Sequence, residues 1–351
     1  MKKILALQIE PSTACTLKCP TCPRTTFAGN WKNINFPLEK LKHILPLAIR
    51  AEIVQLQGWG EPLCHPELEG MIHELTKAGA TCAVTSNGCL LDEKRSESLL
   101  KAGLEHLTVS ISGASPETHA ALRPHSDLHA LMEKIRHFRL TADKLGKKPK
   151  VSLSFLQQDS NIHELPMAVE LASRYGLDDC LAINASYLPT PAHKKQHVVS
   201  GLRSRWAAMR ALWVSIRKGQ PYIPARIRPE EQAVCANNPL ECLMIGADGS
   251  VSPCIFLYLP LRTHGNINPP TAVMGNIFED DFENIWKSEK YRDFCRAFGS
   301  RKEFYEELYA GIGNCSEGRR RLMEAPEIER IFYANHPAPS PCQGCDKING
   351  L

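Results

Sequence analysis

Three cysteines fall within eight residues, in Cys15-Thr16-Leu17-Lys18-Cys19-Pro20-Thr21-Cys22. Thiolates hold iron and zinc, and a complete structural site normally takes four ligands. Three clustered thiolates therefore predict a metal centre with one position left open. The same spacing fits one face of a helix, where three buried core cysteines would stand. Pro20 and Pro23 oppose that reading, because proline inside a helix removes a hydrogen bond and clashes with the preceding turn. The flanking Pro11-Ser12-Thr13 and Phe27-Ala28-Gly29-Asn30 read as loop. Ligand type alone leaves iron and zinc both open.

The chain as a whole is ordinary in composition, 43% hydrophobic and 23% charged over 351 residues, and its length predicts one large domain plus a smaller one. Its fourteen cysteines are not ordinary, and after the first cluster a second population starts at Cys235. No run approaches the roughly 20 apolar residues of a membrane span. Met1-Lys2-Lys3-Ile4 leads into a strand-like run without a signal-peptide cleavage pattern. The expectation is a cytoplasmic protein with no membrane partner, whose thiols serve metal ligation rather than disulfides. A formal charge of +4 does not call for nucleic acid, and Arg319-Arg320-Arg321 lacks the aromatic interleaving of a strand-binding surface.

Periodicity shows what must position the first cluster. Strand-like runs at Ile4–Glu10, Ile53–Gln57, Thr81–Ser86, His106–Ser112, Lys150–Leu156 and Asp179–Ser186 alternate with helical runs. The helical runs are Leu38–Ile49, Leu68–Ala78, Ser96–Ala102, Leu128–Leu145 and Ile162–Tyr175. Gly79, Gly103 and Gly176 read as helix C-terminal caps, and Asp92 and Asp127 as N-caps. Six βα units imply a parallel sheet, either open or an incomplete barrel, with ligands at the C-terminal ends of the strands. Four motifs fall at such ends: the cysteine cluster, Gly58-Trp59-Gly60-Glu61-Pro62, Thr85-Ser86-Asn87-Gly88 and Ser110-Ile111-Ser112-Gly113. Each alone reads as a turn; together they predict one shared pocket.

The rhythm stops at Pro189-Thr190-Pro191. A basic stretch from Lys194 to Lys218, with Trp206 and Trp213, reads as a packed helix with a solvated basic face. Gly219–Pro229 reads as a connector, and Leu243–Pro253 as a hairpin turning at Asp248-Gly249 with cysteines outside both ends. The expected organisation is 1–190, a connector over 191–230, and a smaller unit over 231–351.

With these motifs in view, the chain resembles the radical S-adenosylmethionine (radical SAM) enzymes. Cys15-x3-Cys19-x2-Cys22 after the first strand is similar to their cluster motif, and Gly58–Pro62 to their Gly-Gly-Glu-Pro motif, with Trp59 lengthening the glycine pair. The resemblance implies an α/β fold, a partial (β/α)6 TIM-type barrel. It implies a [4Fe–4S] cluster on Cys15, Cys19 and Cys22, whose open iron takes the amino and carboxylate groups of S-adenosylmethionine. Reductive cleavage would then give methionine and a 5′-deoxyadenosyl radical that abstracts substrate hydrogen, with the electron coming from a flavodoxin- or ferredoxin-type donor. By the same resemblance Gly58, Gly60 and Glu61 would hold the methionyl amine, Asn87, Ser110 and Ser112 methionyl or ribose groups, and Arg123 the carboxylate. One departure is Thr21, at a position often aromatic in the family.

The later cysteines resemble the SPASM or Twitch extension, which carries auxiliary clusters in part of that family. Cys235, Cys242, Cys254, Cys342 and Cys345 are the candidate ligands, five for the four positions of one auxiliary [4Fe–4S] cluster; Cys235 and Cys242 compete, and zinc stays open on ligand type. Cys295 and Cys315 are either ligands or bystanders, and Cys64, Cys82, Cys89 and Cys180 read as packed thiols. The expected function is peptide or protein maturation, with the substrate brought by a partner protein or met in the cleft between barrel and extension. Oxidation of a small metabolite and a non-catalytic electron carrier are the rivals; a carrier would need no nucleoside pocket. Glu10, Asn184 and Tyr187 stand near strand ends without an assigned role.

Overall fold

The computed structural model describes residues 4–198, 200–262, 271–310 and 316–351. Six parallel strands come first: β1 (Ile4–Ile9), β2 (Ala51–Leu56), β3 (Cys82–Ser86), β4 (His106–Ile111), β5 (Lys150–Gln157) and β6 (Asp179–Asn184). Each pairs in register with its sequence neighbour. Their apolar residues pack under the covering helices, so Leu7, Val54, Val84, Val109 and Leu153 are all fully buried. A parallel ladder of this kind needs crossovers, and those helices supply them. This is the α/β core expected of a partial barrel.

The caps fall where the sequence puts them. Asp92 accepts from the Arg95 N–H, and Asp127 from the Ala130 N–H, opening helices Glu93–Ala102 and Leu128–Lys144. Gly79, Gly103 and Gly176 close helices at φ of 97°, 103° and 61°. Two predicted helices begin differently. Pro46 splits Leu38–Ile49 into a 3-10 turn (Leu38–His43) and one short helix (Leu45–Ala48). In the other, Pro166 sits in the first turn of Leu165–Arg174, after a 3-10 turn at Ile162–Glu164. A short helix at Pro116–Leu122 was not legible.

The extension joins the same sheet. Strand β7 (Tyr222–Ile223), within the expected connector, pairs with β6. The hairpin β8 (Cys242–Ile245) and β9 (Ser250–Ser252) turns at Gly249, whose φ is 82°. Strand β8 lies parallel against β1, and β10 (Gly275–Asn276) closes the far edge, giving the order β10-β9-β8-β1-β2-β3-β4-β5-β6-β7. The hairpin thus stands beside the strand that precedes the cysteine cluster.

Helices Glu289–Tyr309 and Ser316–Asn335 cover this side. Arg301, fully buried, gathers the extension. It donates to the carbonyls of Ala233 (3.1 Å), Gln232 (2.8 Å) and His336 (2.9 Å), reaches Glu231 Oε1 at 2.7 Å, and lies over the Tyr333 ring. One guanidinium therefore ties the segment before Cys235 to the tail before Cys342. Helix Leu202–Lys218 departs from expectation: its outward face exposes Trp206 and Trp213 rather than a basic surface alone.

Candidate active site

The cysteine loop follows β1 and is held by its own backbone. The Arg24 guanidinium donates to the carbonyls of Cys15 (2.8 Å) and Leu17 (2.9 Å), and the Cys22 N–H donates to the Cys19 carbonyl at 3.1 Å. The Gly58–Pro62 loop closes against it. Glu61 donates its N–H to the Ala14 carbonyl at 2.7 Å, and a Cβ on Gly60 would come within 2.1 Å of the Ser12 carbonyl oxygen. No other residue type fits that approach without moving backbone.

The ten residues expected around the first cluster and its ligand share one cavity of about 310 Å³. Cys15, Cys19, Cys22, Gly58, Gly60, Glu61, Asn87, Ser110, Ser112 and Arg123 all line it. The Asn87 amide donates to Cys15 Sγ at 3.5 Å and to Thr16 Oγ1 at 3.4 Å. Arg123, only 7% exposed, donates through Nε to Ser112 Oγ at 2.8 Å. It is no surface residue, and its guanidinium faces the cavity as a fixed cation.

The Glu61 carboxylate, which lines the cavity, also holds its surroundings together. Its Oε1 accepts from Ser86 Oγ (2.6 Å) and the Leu63 N–H (3.1 Å), and its Oε2 from the Asn87 N–H (2.7 Å). The carboxylate pins the ends of β2 and β3 together. Burial raises its pKa, opposed by those hydrogen bonds and by the Arg123 charge. Glu164, which the sequence did not single out, does the same after β4: it accepts from Ala114, Ser115 and Thr118. Burial pushes its carboxyl up, but the hydrogen bonds from Ser115 and Thr118 win and hold it below the usual range.

The extension also contributes to the cavity lining. Ile255 and Phe256, directly after Cys254, line it with Tyr187 and Leu188. Trp59 ties the Gly58–Pro62 loop to the extension. Its indole N–H is shared between the carbonyls of Tyr258 (2.7 Å) and Ile255 (3.2 Å), and its ring meets Tyr187 and Phe256 edge-on. Its backbone N–H donates to Glu10 Oε1 at 2.6 Å. Glu10 is fully buried, its Oε2 has no hydrogen-bond partner among the described residues, and burial pushes its pKa up to about 8. The sequence offered only position for Glu10 and nothing for Phe256 beyond adjacency to Cys254.

Among the described residues no three metal-binding side chains already converge on one coordination point. The groups are recognised by which thiols sense each other's charge. Cys15, Cys19 and Cys22 form one, and burial pushes Cys22 up to about 11. Cys235, Cys254, Cys342 and Cys345 form the other, with Cys254 pushed up to about 12 by burial and then by Cys235. Partly buried thiols gathered in this way suit a bound cation, whose charge stabilises their thiolate forms, so both donor sets fit a metal cluster. Cys242 is not with the four. It lies on β8 opposite Ala6, and with Cys295 it borders the Tyr291 hydroxyl instead. Cys315 lies outside the described residues. Cys82 and Cys180 are buried packed thiols, whereas Cys64 is half-buried and senses Cys15.

Comparison with known proteins matches this geometry. The family model described as the radical SAM superfamily matches residues 9–166, and the SPASM model, an iron–sulfur cluster-binding domain, matches 235–316. The chain belongs to the radical SAM superfamily. More narrowly, it is a radical SAM enzyme with a SPASM domain, and the two domains imply a [4Fe–4S] cluster, S-adenosylmethionine and an auxiliary iron–sulfur cluster.

A Pyrococcus furiosus protein described as a tungsten-containing aldehyde ferredoxin oxidoreductase cofactor-modifying protein is 22% identical over 82% of each chain. A PqqA peptide cyclase of Streptomyces rochei is 26% identical over 51% of this chain, which spans about half (48%) of that relative. Streptococcus suis SuiB bound to S-adenosylmethionine shares the fold, with a TM-score of 0.65 at 18% identity, covering 84% of this chain and 68% of SuiB. No described helix is long and apolar enough to cross a membrane.

Proposed function

We propose that this enzyme performs radical chemistry on a peptide or protein substrate that enters between the barrel and the extension. The observation that carries the reading is the single cavity, lined both by the Cys15–Cys22 loop and by Tyr187, Ile255 and Phe256. When bound, the cluster and S-adenosylmethionine supply a one-electron cleavage of the sulfonium, giving methionine and a 5′-deoxyadenosyl radical.

The chain's own residues do the holding. Cys15, Cys19 and Cys22 would ligate three irons. Backbone at Gly58 and Gly60, with Asn87, Ser110 and Ser112, would line the methionyl and ribose groups. Arg123 would take the carboxylate, the group a guanidinium fork suits. Glu61 and Glu164 act one step back, holding the loops that present these groups. Cys235, Cys254, Cys342 and Cys345 would hold the auxiliary cluster, and residues 1–190, 191–230 and 231–351 would be barrel, connector and extension. A peptide substrate is supported by the peptide-cyclase relatives and by SuiB, also solved with its precursor peptide SuiA.

Anaerobic reconstitution with iron, sulfide and 5′-deoxyadenosine measured tests the chemistry, and substrate fractions test the rest. The peptide fraction of a cell extract should stimulate 5′-deoxyadenosine formation and yield a peptide of altered mass. Stimulation by the small-metabolite fraction alone would overturn the peptide reading. Stoichiometric zinc without labile sulfide would overturn the radical reading itself.

A further inference from the structure

Helix Leu202–Lys218 is apolar on two opposite faces. Ser204, Ala207, Ala211 and Val214 are buried, and the helix packs on Leu165–Arg174 and the Ile162–Glu164 turn. On the other side Leu202 is 79% exposed, Trp206 59%, Met209 53%, Trp213 57% and Ile216 73%. Their alternating spacing of four and three residues makes one continuous stripe along the helix. Arg203, Arg210 and Arg217, seven residues apart, follow one flank and Arg205 the other, and the helix contains no acidic residue. Two tryptophans, each more than half exposed, in a stripe of five apolar residues are more than scattered surface exposure.

Side-chain contacts lead from the start of the helix toward both thiol groups. Arg203 reaches Asp159 at 3.8 Å, and the preceding residue, Gln158, donates to Thr21 Oγ1 at 3.4 Å, next to Cys22. His197, just ahead of the helix, pairs with Asp346 at 3.2 Å, next to Cys345.

We propose that this outer face is the docking surface for an acidic protein that carries single electrons to the enzyme's iron–sulfur centres. The inference rests on the radical SAM reading, in which each reductive cleavage consumes one electron. The carrier loses that electron, the enzyme's cluster gains it, and no other group is transferred. Trp, Met and Arg are the side chains enriched at protein interfaces, and here four arginines stand against one lysine. The flanking positive charge selects an acidic partner and speeds its encounter. Docking at the Leu202 end sets the carrier on the side of the molecule from which those contacts lead to Cys22 and Cys345, a placement that a membrane surface would not require.

The test uses the reconstituted full-length enzyme with purified flavodoxin and, separately, purified ferredoxin, and the W206A/W213A and R203E/R210E variants. Binding to immobilised enzyme should weaken about tenfold or more in both variants. The carrier concentration for half-maximal 5′-deoxyadenosine formation should rise in step, while the dithionite-driven rate, which needs no docking, stays within about twofold. Circular dichroism checks that the variants fold. Absence of binding by either carrier, or equal binding by wild type and variants, overturns the proposal. Loss of co-sedimentation with phosphatidylserine vesicles, with carrier dependence unchanged, overturns it in favour of a membrane surface. If the wild type makes no 5′-deoxyadenosine even with dithionite, the radical reading fails, and carrier binding alone then decides the docking surface.

Discussion

The two thiol groups are built in opposite ways. Cys15, Cys19 and Cys22 come from one loop at one strand end, whose own contacts, such as Arg24 to Cys15 and Leu17, help to shape it. Cys235, Cys254, Cys342 and Cys345 come from three separate stretches, brought together by the β8–β9 hairpin and by Arg301. A local group survives as spacing in the sequence. A dispersed one exists only once the chain has folded, and its members depend on each other's tertiary contacts. The first group should therefore fail by losing ligands, and the second also by losing its supports.

Removing the local group has the largest expected effect. A Cys15→Ala, Cys19→Ala, Cys22→Ala variant should make no 5′-deoxyadenosine and hold one cluster's iron rather than two, by iron and sulfide analysis. Next comes the dispersed group, where two cysteines that the sequence treats alike should part company. Cys235→Ala should lose the auxiliary cluster's iron, whereas Cys242→Ala should keep it, because Cys242 borders Tyr291 and not the other thiols. Equal loss in both would break the comparison.

How much was legible follows the same division. All six barrel strands, the Asp92 and Asp127 caps and the Gly249 turn were readable, because each is set by local periodicity or a local φ requirement. The ten residues expected around the first cluster and its ligand could be grouped because a parallel sheet brings successive strand ends to one side. What could not be read depends on distant partners. Nothing near Cys235 or Cys242 says which meets Cys345. Two-residue β7 has no period to detect, and it exists because β6 offers an edge. Trp59 looks like an insertion in a glycine motif until Tyr258, far along the chain, accepts its indole N–H. Trp206 and Trp213 share helical spacing with core residues, and only the fold shows which face is covered.

A smaller effect is expected at Arg123, which tests whether the local site holds its ligand by charge. Arg123→Met should weaken S-adenosylmethionine binding roughly 10- to 100-fold by equilibrium dialysis, the worth of one charge-assisted hydrogen bond of about 1.5–3 kcal/mol. Iron content should not change. Arg123→Lys should recover only part of the affinity, since lysine keeps the charge without the fork.

The smallest effect lies at the seam between the two regions, where Glu10 holds the Trp59 loop on one side and faces Asp248 of the hairpin on the other. Burial first, and the Asp248 charge among the lesser causes, raises its pKa from 4.5 to about 8 in the folded chain. The folded state therefore keeps this proton between those values while the unfolded state has released it. Its contribution to stability is fully present below pH 4.5 and disappears as pH rises through about 8. The shift sets a ceiling on the order of a few kcal/mol. Glu10→Gln keeps an acceptor for the Trp59 N–H and cannot ionise. Denaturant unfolding from pH 5 to pH 8.5 should show the wild type losing stability by about 1–3 kcal/mol more than the variant. Parallel pH profiles would mean that Glu10 does not carry a buried proton.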